Sequence, residues 1–316
     1  MGFHEREESL VTESTAPGTD AGSGDGTLPP SLAEGRLQVG MAGGGGLRWA
    51  AANLTEVVET ARRRLDLSPV AAAALGRALT SAALLLRLAA KTPQRLLMEI
   101  RGDGPLRQVL AEADEAGNLR GTVSPPRVDV PFTPAGKLDV GGAIGRGLLR
   151  VLREHGRGRY HSQVELVSGE IGEDVAHFLH QSEQTRSAVL VGVLGKPHGV
   201  AGAGGVIVEV LPDAAGEAVS ALEANIAALP SGVSRLMEDG GLARVLELLL
   251  AGLEPRGVEE RTLAYRCRCS RERLKRHLAH LSEEDRREHA REDGHIEAEC
   301  LFCGETYLYP PEELAS

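Results

Sequence analysis

The stretch YRCRCSRERLK, residues 265–275, is answered near the end of the chain by AECLFCGETYLY, residues 298–309. Together they hold all four cysteines, Cys267, Cys269, Cys300 and Cys303. The pattern is C-x-C, thirty intervening residues, then C-x-x-C. Four thiolates satisfy the tetrahedral, sulfur-preferring coordination of zinc, and C-x-x-C is a common half-site spacing. One Zn2+ held by Cys267, Cys269, Cys300 and Cys303 in the reduced protein is therefore expected. His277, His280, His289 and His295 lie between the pairs, but a full sulfur set leaves them no vacancy, and their mixed-charge setting marks solvated surface.

The C-x-C half is the less usual one for a purely structural site. A metal-bound thiolate is already deprotonated, so an oxidant that reaches it meets a ready nucleophile for peroxide or hypochlorous acid. Cysteines one residue apart close a disulfide only in a tight ring, and strained disulfides are readily reduced. The spacing thus favours a reversible switch. From Tyr265 onward large apolar residues are few, so folding there is expected to depend on zinc, a contribution of about 10–16 kcal/mol in zinc-finger peptides.

The 316 residues suffice for one large domain with appendages or for two. A formal charge of -10 argues against wholesale nucleic-acid binding and leaves room for a local basic patch. The longest apolar candidate, AALLLRLAAK, is interrupted by Arg87, and no membrane span is expected. The N-terminus lacks a basic start followed by an apolar segment, so a cytoplasmic, reducing setting is expected, where thiols bind metal or do redox work. Residues 1–35 are rich in Ser, Thr, Gly, Glu and Pro and read as a disordered acidic tail.

After the glycine run Gly43–Gly46, two helices are predicted. Thr55 is the expected cap of the first, with Val57, Val58, Ala61 and Leu65 at helical spacing, and Ser68-Pro69 starts a second that is apolar nearly all round and so buried. Alternation from Arg95 to Val123, punctuated by Asp103-Gly104 and Gly117-Asn118, predicts an antiparallel meander. Further strands are YHSQVELV, SAVLVGVLG and GGVIVEVLP, with a helix between the first two on the face Ile171, Val175, Phe178 and Leu179. The mixed order predicts an α+β core with an antiparallel sheet over 36–212. From Ala214 to Gly252 the pattern is helical, with stripes Val219, Leu222, Ile226, Leu229 and Leu242, Val245, Leu246, Leu249, Leu250 that are expected to cover the core surface. This divides the chain into a tail, the core, an amphipathic linker over 213–262 and a zinc domain over 263–316.

Other motifs are weaker. GGAIGRG from Gly141 and GVAGAGG from Gly199 look like phosphate loops but lack a strand-to-helix setting and an acidic partner, so turns and a bulge are expected. Ser182 follows a helix without a recognisable His and Asp arrangement, and a helix-ending turn is the expectation rather than a hydrolase nucleophile. No catalytic constellation is legible, and the chain is not read as an enzyme. The second functional class to weigh is a zinc-ribbon regulator that contacts nucleic acid through Arg266, Arg268, Arg271, Arg273, Lys275 and Arg276; the negative charge returned by EEDRREHAREDGHIEAE weighs against it.

Taken together, SPVAAAALGRALTSAALL, IRGDGPLRQV, VELVSGEIGEDVAHFLHQSEQT, GGVIVEVLP, CRCSRER and CLFC with Tyr307 resemble the redox-regulated holdase chaperones known as the 33-kDa heat-shock proteins, from about Leu37 to Tyr309. The resemblance implies a dimeric core, a helical linker folded on it and a C-terminal zinc domain. It implies further that oxidative stress pairs Cys267 with Cys269 and Cys300 with Cys303, releases zinc, loosens the linker and exposes a surface for unfolded client proteins, without ATP. The acidic tail and the glycine run have no counterpart in that pattern, and Gly304 stands where the family often has Asn.

Overall fold

The computed structural model describes residues 33–89, 93–197 and 199–314. Most of the expected tail therefore lies outside the described residues, and its last three positions open the first strand. Strands β1 (Ala33–Ala42) and β2 (Leu47–Asn53) form a hairpin across the glycine run. Gly43, Gly44 and Gly45 have φ of 57°, 66° and 98°, the left-handed region where a side chain is strained.

Helices α1 (Thr55–Arg64) and α2 (Pro69–Leu88) follow. The expected cap is displaced: Asn53 Oδ1 accepts from the Thr55 N–H at 3.1 Å, while Thr55 Oγ1 accepts from the Ala203 N–H at 3.0 Å. Ser68 stands at the cap of α2 with Pro69 in the first turn, yet its hydroxyl accepts from Val128 rather than from the helix. Helix α2 is longer and more continuously apolar than the stretch singled out in the sequence, and by length and composition alone it would suffice to cross a membrane. It lies buried inside the protein along almost its whole length, as the central helix of the core.

The meander appears as β3 (Arg95–Gly102), β4 (Gln108–Asp114) and β5 (Asn118–Ser124). Then come α3 (Val140–Ile144), β6 (Gly147–His155), β7 (Gly158–Glu165), α4 (Gly172–Gln181), β8 (Arg186–Lys196) and β9 (Gly199–Val210). GGAIGRG is thus the short α3 and its turn, and GVAGAGG is the start of β9. Ser182 ends α4, its N–H donating to the Phe178 carbonyl at 2.8 Å.

The expected linker contains α5 (Gly216–Ala227) and α6 (Val233–Leu249), the latter bent at Gly241, but its last part is strand β10 (Arg256–Tyr265). This strand is inserted into a ten-stranded sheet in the order β7-β6-β3-β4-β5-β10-β1-β2-β9-β8, antiparallel except where β10 meets β5. Its sequence, RGVEERTLAY, shows no apolar alternation before Leu263, because long pairing with β1, rather than burial, defines it.

The two faces of the sheet explain the strand sequences. Ala50 and Ala52 of β2 and Ala203 and Ile207 of β9 join α1 and α2 in the main core. Their neighbours Trp49, Ala51, Val206 and Val208 point the other way and pack with Leu222 of α5 and Val233, Leu236, Met237, Val245 and Leu249 of α6. Strands buried on both faces lose alternation, which is why WAAA was not legible as a strand. The helical cover expected for the core surface is thus present. Its two ends meet at the glycine turn: the Gly43 N–H donates to the Leu253 carbonyl at 2.7 Å and the Leu211 N–H donates to the Gly46 carbonyl at 2.9 Å.

Candidate metal centre

After β10 the chain turns into α7 (Arg271–Leu278), α8 (Glu283–Glu288), the hairpin β11 (Ile296–Glu299) with β12 (Thr306–Tyr309), and α9 (Pro311–Leu314). Ser270 caps α7 and Ser282 forms a capping box with Asp285 on α8, so both short helices start on local hydrogen bonds. The apolar contribution is small: Ile296, Tyr309 and Leu314 are buried, with Leu274 and Leu278 partly so.

All four sulfurs converge. Cys267, Cys269, Cys300 and Cys303 have Sγ atoms within 4.8 Å of one another, with Cys267 to Cys300 at 3.6 Å and Cys269 to Cys303 at 3.4 Å. Tetrahedral zinc with bonds of about 2.3 Å separates its sulfurs by roughly 3.8 Å, so the donor set fits that ion. The Cys269 N–H donates to Cys267 Sγ at 3.4 Å, and Tyr307 Oη lies 3.5 Å from Cys269 Sγ. Hydrogen bonds from Cys269 and then Cys300 pull the Cys267 thiol well below its ordinary value, and the bond to Cys267 pushes Cys300 and Cys303 up. Four thiols this close cannot all ionise side by side without a cation among them. None of the four intervening histidines joins it; His277, His280 and His289 are exposed and His295 sits beside Asp293.

The C-x-x-C turn explains the glycine after it. The N–H groups of Cys303 and Gly304 both donate to the Cys300 carbonyl, and Gly304 has φ 66°, a conformation that suits Gly and, next best, Asn. A side chain on Gly304 would also overlap the Arg64 carbonyl at the end of α1.

Arginines tie the cluster to the core, a role the sequence did not show. Arg64 Nε donates to the Cys303 carbonyl at 2.6 Å and its Nη2 pairs with Glu305 at 2.8 Å. Arg120 of β5 stacks on Phe302 at 4.6 Å, and Tyr265 Oη donates to the Phe302 carbonyl at 2.6 Å. Arg268, between the first two cysteines, pairs with the buried Glu112 of β4, and burial lowers its pKa to about 10. Arg271 pairs with Glu313 and stacks on Tyr309. Of the basic residues beside the cysteines, Arg268 and Arg271 are therefore engaged within the protein. The signal for this was the x of C-x-C, an arginine where a surface residue would do, but its acidic partner is more than a hundred positions away.

A mixed α/β core whose sheet is covered by an apolar helical segment and closed by a four-cysteine cluster corresponds to a known class of chaperones. Residues 35–310 match the family model described as Hsp33 protein. The 33 kDa chaperonin of Thermus thermophilus is 48% identical over 294 residues, covering 89% of this chain and 86% of its own length. That of Symbiobacterium thermophilum is 44% identical over 274 residues, covering 86% and 92%. The crystal structure of the 33 kDa chaperonin (heat shock protein 33 homolog) from Thermotoga maritima superposes with a TM-score of 0.80 at 37% identity, covering 88% of this chain and 96% of that one. The chain belongs to the Hsp33 family of chaperones.

Proposed function

We propose that the protein is an ATP-independent holdase switched on by oxidation. The observation that carries this reading is the placement of the cysteine cluster at the end of β10, the strand that anchors the apolar cover formed by α5 and α6. Zinc, when bound, holds the four thiolates together and keeps the small C-terminal unit folded. Oxidation pairs Cys267 with Cys269 and Cys300 with Cys303; each disulfide removes two thiolates, and the remaining donors no longer hold the metal. The C-terminal unit, with its few buried apolar side chains, then loses its fold, and the linker loosens. Leu47, Trp49, Val206 and Val208 on the sheet and the apolar stripes of α5 and α6 become available to unfolding clients.

We propose the working units as the core 36–212, the linker 213–262 and the redox domain 263–316, preceded by the tail 1–35. The protein acts in the cytoplasm, as a homodimer, and carries no enzymatic activity in this reading. Engagement of Arg268 and Arg271 with Glu112 and Glu313 leaves the zinc-ribbon reading without its strongest contacts.

The test is to measure zinc release, chain by chain, and suppression of thermal aggregation of a client before and after hydrogen peroxide at elevated temperature. Release of the metal together with gain of client protection is the expected result. Full protection by the reduced, zinc-loaded protein, or oxidation without zinc release, overturns the proposal.

A further inference from the structure

We propose that Arg268, the residue enclosed by the C-x-C pair, is the positioning residue through which the first cysteine pair holds the C-terminal end of β10 against β5. This rests on the redox reading above and assigns it a route into the core. The observation is an unusual neighbourhood. Glu112 lies on β4 with its neighbours Ala111 and Ala113 facing the main core, and it is 5% exposed. It receives Arg120 at 2.8 Å and Arg95 at 3.6 Å, both from strands of the same sheet, and in addition Arg268 from the cysteine loop. Arg95 also reaches Glu154 at 3.4 Å.

The two carboxylates keep their partners without Arg268. Arg120 and Arg95 remain on Glu112, and Arg95 and Arg159 on Glu154, so withdrawal of Arg268 leaves no buried carboxylate unpaired and the core keeps its ion pairs. The core therefore tolerates the departure, whereas the cysteine loop depends on the contact. Immediately before the loop, β10 pairs with β5 only through its last residues: the Ala264 N–H donates to the Gly117 carbonyl and the Arg266 N–H to the Leu119 carbonyl, both at 2.9 Å. Arg268 is the next side chain along to grip the core. Losing it frees this short parallel pairing first and loosens the end of β10 that leads into the cysteine loop, while the long pairing of β10 with β1 stays in place.

The chemistry that withdraws it is fixed by the chain. A thiolate of the Cys267–Cys269 pair attacks the O–O bond of hydrogen peroxide, giving a sulfenic acid and hydroxide. The second thiolate displaces hydroxide from that sulfur as the S–S bond forms. The two sulfurs together lose two electrons, and the peroxide oxygens leave as water after taking up two protons. In the present conformation Cys267 faces Cys300 and Cys269 faces Cys303, so bringing the neighbours to bonding distance rotates the backbone on both sides of Arg268.

The experiment compares the full chain with Arg268→Ala and Arg268→Lys, each reduced and zinc-loaded. Zinc content, amide hydrogen exchange at Ala264 and Arg266, and the peroxide dose for half release of zinc are read in parallel. Expected for Arg268→Ala are one zinc per chain, exchange at these two amides faster by about tenfold, and a lower peroxide dose, with Arg268→Lys recovering part of each. Unchanged exchange and an unchanged dose in zinc-loaded Arg268→Ala overturn the assignment. If that variant loses zinc, Glu112→Gln, which leaves the cysteine loop intact, takes its place; a parental exchange pattern and dose there overturn it equally. Failure of the unmodified protein to release zinc on oxidation would sink the redox reading instead, and the exchange difference would still report the Arg268 contact.

Discussion

Substitution of one glycine under the linker tests whether the docked helices keep the protein inactive. Gly202 of β9 pairs with Leu194 and has an ordinary extended backbone, so alanine there meets no conformational penalty. Its consequence is steric. A Cβ on Gly202 would overlap the carbonyl oxygen of Ser234 and stand 3.1 Å from the Glu238 amide nitrogen, both in the backbone of α6. The helix must retreat by roughly 1 Å, since carbon contacts favour about 3.5–4.0 Å. Forcing an extra methyl into a packed interface costs about 1–3 kcal/mol, which here falls on docking of α6 rather than on the core below the sheet. That shifts the docked population by about 5- to 150-fold. Trp49, the single tryptophan, is buried in the same cluster and reports the change. Gly202→Ala, reduced and zinc-loaded, is expected to show red-shifted Trp49 emission and to hold a client without oxidant. Gly192→Ala, whose Cβ would meet Ser234 and Val233 at 3.1–3.3 Å, is expected to show the same effects more weakly. Parental emission and an inactive reduced state in Gly202→Ala would refute the idea that this groove seats the linker.

Chelation of zinc under reducing conditions is expected to unfold the C-terminal unit while α2 and its strands remain protected, since Ile296, Tyr309 and Leu314 are too few to hold it; uniform protection by hydrogen exchange would contradict this. Gly304→Asn suits the backbone but collides with the Arg64 carbonyl, so zinc is expected to remain bound while the contacts of Arg64 weaken, seen as faster exchange at Cys300 and Gly304. Glu59 is held below its ordinary carboxyl value chiefly by its hydrogen bond from Arg62, and it accepts from the Val200 N–H. Its folded pKa is depressed, so its contribution is complete above the ordinary value and is lost as pH falls through the lowered one. Glu59→Gln should therefore flatten the acid limb of the stability curve, and an unchanged denaturation profile below pH 4.5 would count against it.

What was legible in the sequence followed local rules. The apolar periodicity of α2, α4 and the linker stripes, the turns at Asp103-Gly104 and Gly117-Asn118, and the cysteine spacing all express neighbours within a few residues. The illegible parts depend on distant ones. Strand β10 is an exposed, charged segment that becomes a strand only because β1 offers its edge, and β2 hides its period because both faces are covered. The role of Arg268 is of this kind as well: three arginines converge on Glu112 from β3, β5 and the cysteine loop, and no window of sequence contains them together.

The hairpin turn at Gly43–Gly46 has a bearing on how the protein shuts again. Because Leu211 and Leu253 both bond to this one turn, the linker leaves and returns as a loop whose two ends stay close. Closing such a loop carries an entropic cost that grows only slowly with its length, and the cover faces its own sheet at an effective concentration of the order of millimolar. Under the proposed function, a client on that sheet would compete with a tethered rival that never diffuses away. Weak clients are then expected to be displaced once the cysteine cluster is rebuilt, and those offering extensive apolar surface to stay bound. Bringing both ends of the strap to a single buckle would make release of a client part of the same design as its capture.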